Sequence, residues 1–174
     1  RIGNNGQICN NAERLYVHKS IKKEFTELLL KKFEQVRVGD PCADHSVDMG
    51  PLVEARALES VTAKVENAIK QGAKVLCGGH RLGDKGYFYA PTLLDNCTQD
   101  MDIIHEETFG PVLPIVEFED IDQVIAWAND VEYGLASSVF TKDIDTAAKV
   151  ARSLEFGETY INREHFEAMQ GFHA

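Results

Sequence analysis

A cysteine stands in a polar loop near the start of the chain, Gly6-Gln7-Ile8-Cys9-Asn10, just before an apolar run begins. A thiol becomes a useful nucleophile when its pKa is lowered or a base stands beside it, and a loop gives it access. Gly6 lets backbone amides approach a ligand closely, and amides near the sulfur can hold an oxyanion. The competing reading is a small buried hydrophobe, the usual fate of a free cysteine. No His or Asp is spaced from Cys9 in a way that decides between them.

Other groups also carry polar chemistry. Cys42-Ala-Asp-His45 and Cys77-Gly-Gly-His80 are C-x-x-H pairs that together could offer two thiolates and two imidazoles to a tetrahedral zinc. A whole predicted helix separates them, unlike a compact zinc module, and packing explains Cys77 at the end of an apolar strand, so no metal is expected. In His105-Glu106-Glu107-Thr108-Phe109-Gly110-Pro111, two carboxylates stand beside an aromatic, ahead of a Gly-Pro break. A loop carboxylate there can bind sugar hydroxyls while the ring stacks on a ligand. A plain solvated turn is the simpler explanation of those residues alone. Near the end of the chain, Arg163, Glu164, His165, Glu167 and His173 mix with Phe166, Met169 and Phe172. Such a mix lines a pocket for a small polar ligand or trails as a solvated tail. Neither G-x-G-x-x-G nor the P-loop pattern occurs, so nothing here should bind a dinucleotide strongly by itself.

The elements that must position these residues alternate. Residues 14–17 read as a short strand. Residues 20–36 read as a helix with Ile21, Phe25, Leu28 and Phe33 at helical spacing. "RVGDPCADHSVDMGP" is a loop, followed by a helix carrying Leu58, Val61, Val65, Ala68 and Ile69 and stopped by Gly72. "KVLCGG" is a strand, and "YFYAPTLL" and "PVLPIVEF" are extended, with Pro91 and Pro114 each marking an edge or an irregularity. Asp120 caps a further helix, "LASSVF" is a strand, residues 143–154 form a helix, and "ETYIN" is the last strand. This alternation predicts an α/β fold with a mostly parallel sheet flanked by helices.

Composition bounds the partners. The chain has 174 residues, enough for one domain with a full core. A net charge of −10 argues against nucleic acid or an anionic membrane as partner. The cysteines at 9, 42, 77 and 97 are too sparse for a disulfide scaffold and point to a reducing, cytoplasmic setting. No stretch approaches the ~18 apolar residues of a membrane span. The first residues lack the basic-then-apolar pattern of a leader and an initiator Met, and "AMQGFHA" stops without a terminator. Both ends read as cut from a larger protein.

The order of the pieces is more specific than any one of them. "GQICNNAERLYV", "MGPLV", "GYFYAPTLL", "HEETFGPVLPIVEF", "ANDVEYGLASSVFTKD" and "GETYIN" follow one another in a pattern that resembles the aldehyde dehydrogenase superfamily. The resemblance runs from the first residue to the last and is to the catalytic domain only. Within the superfamily, "NNAERLYV" and the segment from "GETYIN" to the end most resemble the bacterial branch that acts on lactaldehyde and glycolaldehyde.

The resemblance implies that residues 1–174 are the cysteine-bearing catalytic domain, with the dinucleotide-binding domain absent from this chain. It makes Cys9 the nucleophile. The thiolate would attack the aldehyde carbon, and the Cys9 amide and an asparagine side chain would hold the oxyanion. Hydride would pass to NAD or NADP, and a glutamate-activated water would release the acid from the thioester. Glu107 matches the carboxylate of an E-x-F-G-P motif that binds the nicotinamide ribose, and Phe109 the aromatic that positions the nicotinamide ring. Gly110, Pro111, Arg14 and Asn162 inherit structural roles.

Phe172-His173-Ala174 stands where many members read Pro-Phe-Gly-Gly. His173 and Glu167 therefore replace apolar walls of the substrate tunnel, which favours a short, hydroxylated aldehyde. In the family the base glutamate, the oxyanion asparagine and the cofactor domain precede the cysteine, and an oligomer-forming tail follows. The chain alone is thus expected to bind no cofactor and to oxidise no aldehyde. The full-length protein is expected to form a homo-oligomer without nucleic acid or membrane partners. Two alternatives stay open: a cysteine-dependent hydrolase or acyltransferase, which leaves Glu107 and Phe109 without a role, and a non-catalytic zinc-stabilised interaction module.

Overall fold

A computed structural model describes residues 1–164. Its contacts group into two compact units, Arg1–Glu117 and Phe118–Ala174. Among the described residues no helix is long and apolar enough to cross a membrane.

The first unit opens with a 3-10 turn, Gly3–Gly6. It continues through β1 (Leu15–His18), α1 (Lys22–Glu34), α2 (Ala55–Gln71), β2 (Lys74–Cys77), β3 (Thr92–Cys97), the single turn α3 (Asp102–His105) and β4 (Val112–Phe118). The sheet runs β1-β4-β3-β2. β3 and β4 are parallel, with Thr92 opposite Val112, whereas β2 joins β3 antiparallel. β4 is therefore interior, and its Val112–Val116 run is buried throughout. A near-continuous apolar run is what a strand covered on both faces requires. One face carries the cluster Val17, Phe33, Leu93, Leu113 and Ile115, to which α1 contributes Phe33 with Leu29 and Leu30 packed alongside. The amphipathic α2 turns Leu58, Val61, Val65 and Ala68 inward. Complete burial of a side chain of that size contributes about 1.5–3 kcal/mol.

The two proline sites, each expected to mark an edge or an irregularity, resolve differently. The extended stretch expected over "YFYAPTLL" becomes a strand only at Thr92, after Pro91, and Tyr89 instead makes an isolated bridge with Arg81. Pro114 marks no edge, because β4 has a neighbour on each side. It does sit at an irregularity. The register passes from Leu94 opposite Pro114 to Cys97 opposite Val116, so β3 carries an extra residue, and Asn96 turns left-handed there at φ 56°. That is a bulge placed beside the residue that cannot donate to the ladder.

The long connection between α1 and α2 is pinched at its base. Val38 and Met49 form an isolated bridge, and the Gly39 N–H donates to Met49 O at 3.0 Å. The Arg37 guanidinium forks onto the Asp48 carboxylate at 3.1 and 3.2 Å. That contact holds the Asp48 carboxyl below its usual range.

The second unit holds α4 (Ile121–Asn129), β5 (Ala136–Val139), α5 (Ile144–Ser153) and β6 (Glu158–Ile161). β5 and β6 pair in parallel, Ala136 opposite Glu158, with α5 as the crossover. Asp120 caps its helix as expected, accepting from the backbone N–H of Gln123 at 2.8 Å, and Asp143, expected within the last helix, instead caps it, accepting from the N–H of Thr146 at 2.6 Å.

Candidate active site

The cysteine loop is built by side chains that reach across the fold. Asn4 and Asn5 take left-handed φ values of 49° and 58°, which asparagine tolerates better than most residues. This turn buries the Asn5 side chain, whose Nδ2 donates to Pro51 O at 2.7 Å. Gln7 Oε1 accepts the Val53 N–H at 3.0 Å, and its Nε2 donates to Asn4 O at 3.1 Å. The residues on either side of Gly6 are thus fastened to the 51–53 segment, and Cys9 is left exposed beyond them.

Gly6 is where this loop meets the 107–111 loop. A Cβ on Gly6, which stands at φ +72°, would lie 2.1 Å from Gly110 O and 2.9 Å from Arg1 Nε. Gly110 is pressed from its other side, since a Cβ there would lie 2.4 Å from Val61 Cγ2 on α2. Only glycine fits at either place without displacing backbone or core.

The backbone of the second loop is held at each step. Lys64 on α2 donates to the Glu106 carboxylate at 3.0 Å and to Glu107 O at 2.8 Å. Glu13, just after the cysteine loop, accepts the Thr108 N–H at 3.2 Å and the Phe109 N–H at 3.4 Å. Arg1 donates from Nε to Gly110 O at 2.7 Å. Arg1 and Glu13 are themselves paired at 2.6 Å. Thr108 is buried, while the Glu107 carboxylate and the Phe109 ring, 40% exposed, face outward. Phe109 stands at φ 45°, a left-handed value that a bulky residue adopts only when its surroundings impose it.

The thiols differ in environment. Burial pushes the Cys97 thiol up to about 12 and raises that of Cys77, so both stay protonated. Cys9 and Cys42 are exposed. The arrangement sets an accessible thiol loop directly against a loop that offers an exposed aromatic and an exposed carboxylate.

The sequence profile of the Aldehyde dehydrogenase family matches residues 1–173. The chain belongs to the aldehyde dehydrogenase family. It is 51% identical to the lactaldehyde dehydrogenase of Escherichia coli (strain K12) over 174 residues, all of this chain and 36% of that protein. The crystal structure of E. coli lactaldehyde dehydrogenase superposes with a TM-score of 0.95 over 98% of this chain and 36% of that one. A 3,6-anhydro-L-galactose dehydrogenase solved in complex with NAP is 44% identical, with a TM-score of 0.93 over 98% of this chain and 36% of that one. An aldehyde dehydrogenase from Bacillus cereus, solved as an NAD+ complex, is 37% identical, with a TM-score of 0.89 over 94% of this chain and 33% of that one. The chain thus spans about a third of the length of these family members. The expected α/β fold with a mostly parallel sheet is the fold of this family.

Of the residues singled out from the sequence, the structure gathers Cys9, Glu107 and Phe109 on two touching loops of the first unit. Glu167 and His173 lie outside the described residues. Arg14 donates to Tyr16 Oη at 3.1 Å and lies over its ring, and Tyr16 donates on to Gln99 at 2.9 Å. Asn162 closes a two-way pair with the Thr141 backbone, accepting and donating at 2.9 Å. The C-x-x-H pairs do not converge, because no group of three His, Cys, Asp or Glu able to hold a metal occurs among the described residues. Sequence reasoning missed Arg1, Glu13 and Lys64. Glu13 lay inside the quoted "NNAERLYV", but nothing in its spacing pointed to residues 108–110.

Proposed function

We propose that this chain is the cysteine-bearing catalytic domain of an NAD(P)-dependent aldehyde dehydrogenase that oxidises small hydroxylated aldehydes of the lactaldehyde or glycolaldehyde class. One observation carries the reading. The exposed Cys9 loop is seated by backbone contact on the loop that exposes Glu107 and Phe109. A cysteine hydrolase has no use for that second loop.

In this mechanism the Cys9 thiolate attacks the aldehyde carbon, and the Cys9 backbone N–H donates to the oxyanion that forms. The exposed Glu107 carboxylate suits ribose hydroxyls and the exposed Phe109 ring suits a planar heterocycle, so these residues would hold a nicotinamide cofactor. When bound, NAD or NADP supplies the hydride acceptor. Cys9 keeps the acyl group as a thioester until water releases the acid. The main dinucleotide-binding domain, the water-activating base and the second oxyanion donor are assigned to residues outside this chain, so Glu107 and Phe109 alone retain no cofactor and residues 1–174 do not turn over.

Glu167 and His173 are assigned to the substrate wall, where polar groups favour a hydroxylated aldehyde over a hydrocarbon one. Support comes from the name of the E. coli relative, a lactaldehyde dehydrogenase. The free cysteines fit a reducing cytoplasm, and the full-length protein is assigned a homo-oligomeric state.

The test uses the full-length enzyme. Lactaldehyde or glycolaldehyde should reduce NAD or NADP, and Cys9→Ser should abolish this. Ester hydrolysis by Cys9 with no cofactor reduction would favour the hydrolase instead. Replacing Glu167 and His173 by leucine should depress hydroxyaldehyde kcat/KM more than that for propanal, and equal effects would sink the substrate assignment. Measurable cofactor reduction by residues 1–174 alone would overturn the placement of the base outside the chain.

A further inference from the structure

The Arg1–Glu13 ion pair lies outside the roles assigned above. Its side chains are only 1% and 12% exposed, and its members flank the cysteine loop on either side in sequence. A buried pair is weak evidence for stability in itself, since desolvation offsets the attraction. What distinguishes this one is where its remaining bonds go. Arg1 Nη1 donates to Ala12 O at 3.2 Å, on the cysteine side. The other bonds go to three successive residues of the facing loop, namely Thr108 N, Phe109 N and Gly110 O. Between these anchors Phe109 holds its left-handed φ of 45°. A bulky residue stays in that region when hydrogen bonds on either side of its peptide over-determine it. Neither member of the pair belongs to the core cluster around Phe33 and Ile115.

We propose that Arg1 and Glu13 are positioning residues that fix the backbone of residues 108–110 relative to the Cys9 loop, and so set the orientation in which Phe109 and Glu107 meet the nicotinamide cofactor. The proposal rests on the functional reading above. Glu13 and Arg1 touch neither substrate nor cofactor in it; they act through the backbone of their neighbours.

Two variants of the full-length enzyme separate positioning from stability. Glu13→Gln keeps the side-chain length and one acceptor oxygen but removes the charge that pairs with Arg1. Arg1→Lys keeps the charge and removes the Nε–H that reaches Gly110. Hydrogen exchange is read on the 106–112 peptide without cofactor, at a temperature where each variant is folded. Dissociation constants for NAD and NADP come from equilibrium dialysis, and Cys9 accessibility from its alkylation rate by iodoacetamide.

The expected result for Glu13→Gln is at least tenfold faster exchange at the Thr108 and Phe109 amides. Cofactor dissociation should weaken tenfold or more, and Cys9 alkylation should change less than twofold. Arg1→Lys should fall between it and the parent enzyme. A lower melting temperature with exchange and cofactor affinity unchanged within twofold would reduce the pair to a structural role. A parallel loss of Cys9 reactivity and cofactor affinity would also overturn the proposal, since it would mean collapse of both loops. Should the parent enzyme bind neither NAD nor NADP, the functional reading fails, and the exchange data still report whether the pair orders residues 108–110.

Discussion

Gly6→Ala isolates the contact on which the site depends, and Gly83→Ala supplies its control. Both glycines have left-handed φ values close to one another, +72° and +67°. They differ in surroundings, because nothing lies within 4 Å of a Cβ on Gly83, whereas one on Gly6 would stand 2.1 Å from Gly110 O and 2.7 Å from its carbonyl carbon. The left-handed conformation costs an alanine about 1–2 kcal/mol at either site. At Gly6 the cysteine loop must also move roughly 1 Å from the 107–111 loop to bring that approach to the 3.0 Å that real Cβ contacts respect. A clash against backbone has no rotamer escape, and forcing it adds about 1–3 kcal/mol. Gly6→Ala should therefore destabilise by about 2–5 kcal/mol and Gly83→Ala by about 1–2 kcal/mol. Each kcal/mol lowers the melting temperature by about 2–8 °C, depending on the size of the unit that unfolds. The two variants are compared by thermal unfolding and by the rate of Cys9 alkylation. Gly6→Ala should melt several degrees lower and change the alkylation rate severalfold, while Gly83→Ala leaves that rate alone. Equal losses of melting temperature with unchanged Cys9 reactivity would refute the claim that the loops are in obligatory contact.

Three further outcomes are expected. In the folded protein iodoacetamide should modify the exposed Cys9 and Cys42 well before the buried Cys97, and the difference should vanish in urea. Burial raises both the Cys97 thiol and the Tyr89 hydroxyl to about 12, from ordinary values of 9.0 and 10.0. The native state then keeps protons that the unfolded chain has shed, so stability is fully present below about pH 9 and declines as pH rises toward 12. Urea midpoints should fall across that window, and Cys97→Ala should flatten part of the fall; an unchanged slope would remove Cys97 from the account. Ile115 is fully buried in the interior strand, and Ile115→Ala should cost about 2–5 kcal/mol by urea titration.

Local signals survived the passage from sequence to structure. Asp120 was readable as a cap because the capping bond closes within three residues. Helical periodicity is local and marked the buried face of α2 at Leu58, Val61, Val65 and Ala68, though Ile69 at its edge is exposed. On α1 it misled: Ile21, Phe25 and Leu28 are exposed, and it is Leu29 and Leu30 that pack beside Phe33, because which stripe of a helix meets the sheet is set by its neighbours. Pro114 was readable as an edge or an irregularity but not as one rather than the other, because nothing local reports how many neighbours a strand has; that depends on where the chain returns, and β4 returns between β1 and β3. The site divides in the same way. Cys9 stood out by its loop, while the meaning of Glu107 and Phe109 came from resemblance. The anchoring of residues 108–110 by Arg1 and Glu13 joins segments about a hundred positions apart in sequence. No spacing rule spans that distance, and the partners are ordinary charged residues until the fold brings them together.

The pinched connection between α1 and α2 has a consequence for engineering. Its two strands of backbone are tied at Val38–Met49 and Arg37–Asp48, so the excursion beyond the tie begins and ends at nearly the same place. Extending such an excursion adds only the slowly growing entropy of a larger closed loop, about 0.6 kcal/mol per doubling. The segment from Pro41 to Ser46 is exposed and turns on its own Asp40 and Asp44 carboxylates, which accept the backbone N–H of Cys42 and Ser46 at 2.9 and 2.8 Å. This is a socket for a foreign peptide: an epitope, a protease site or a fluorophore tether grafted there would hang from a closed clasp and leave the geometry around the thiol as it was.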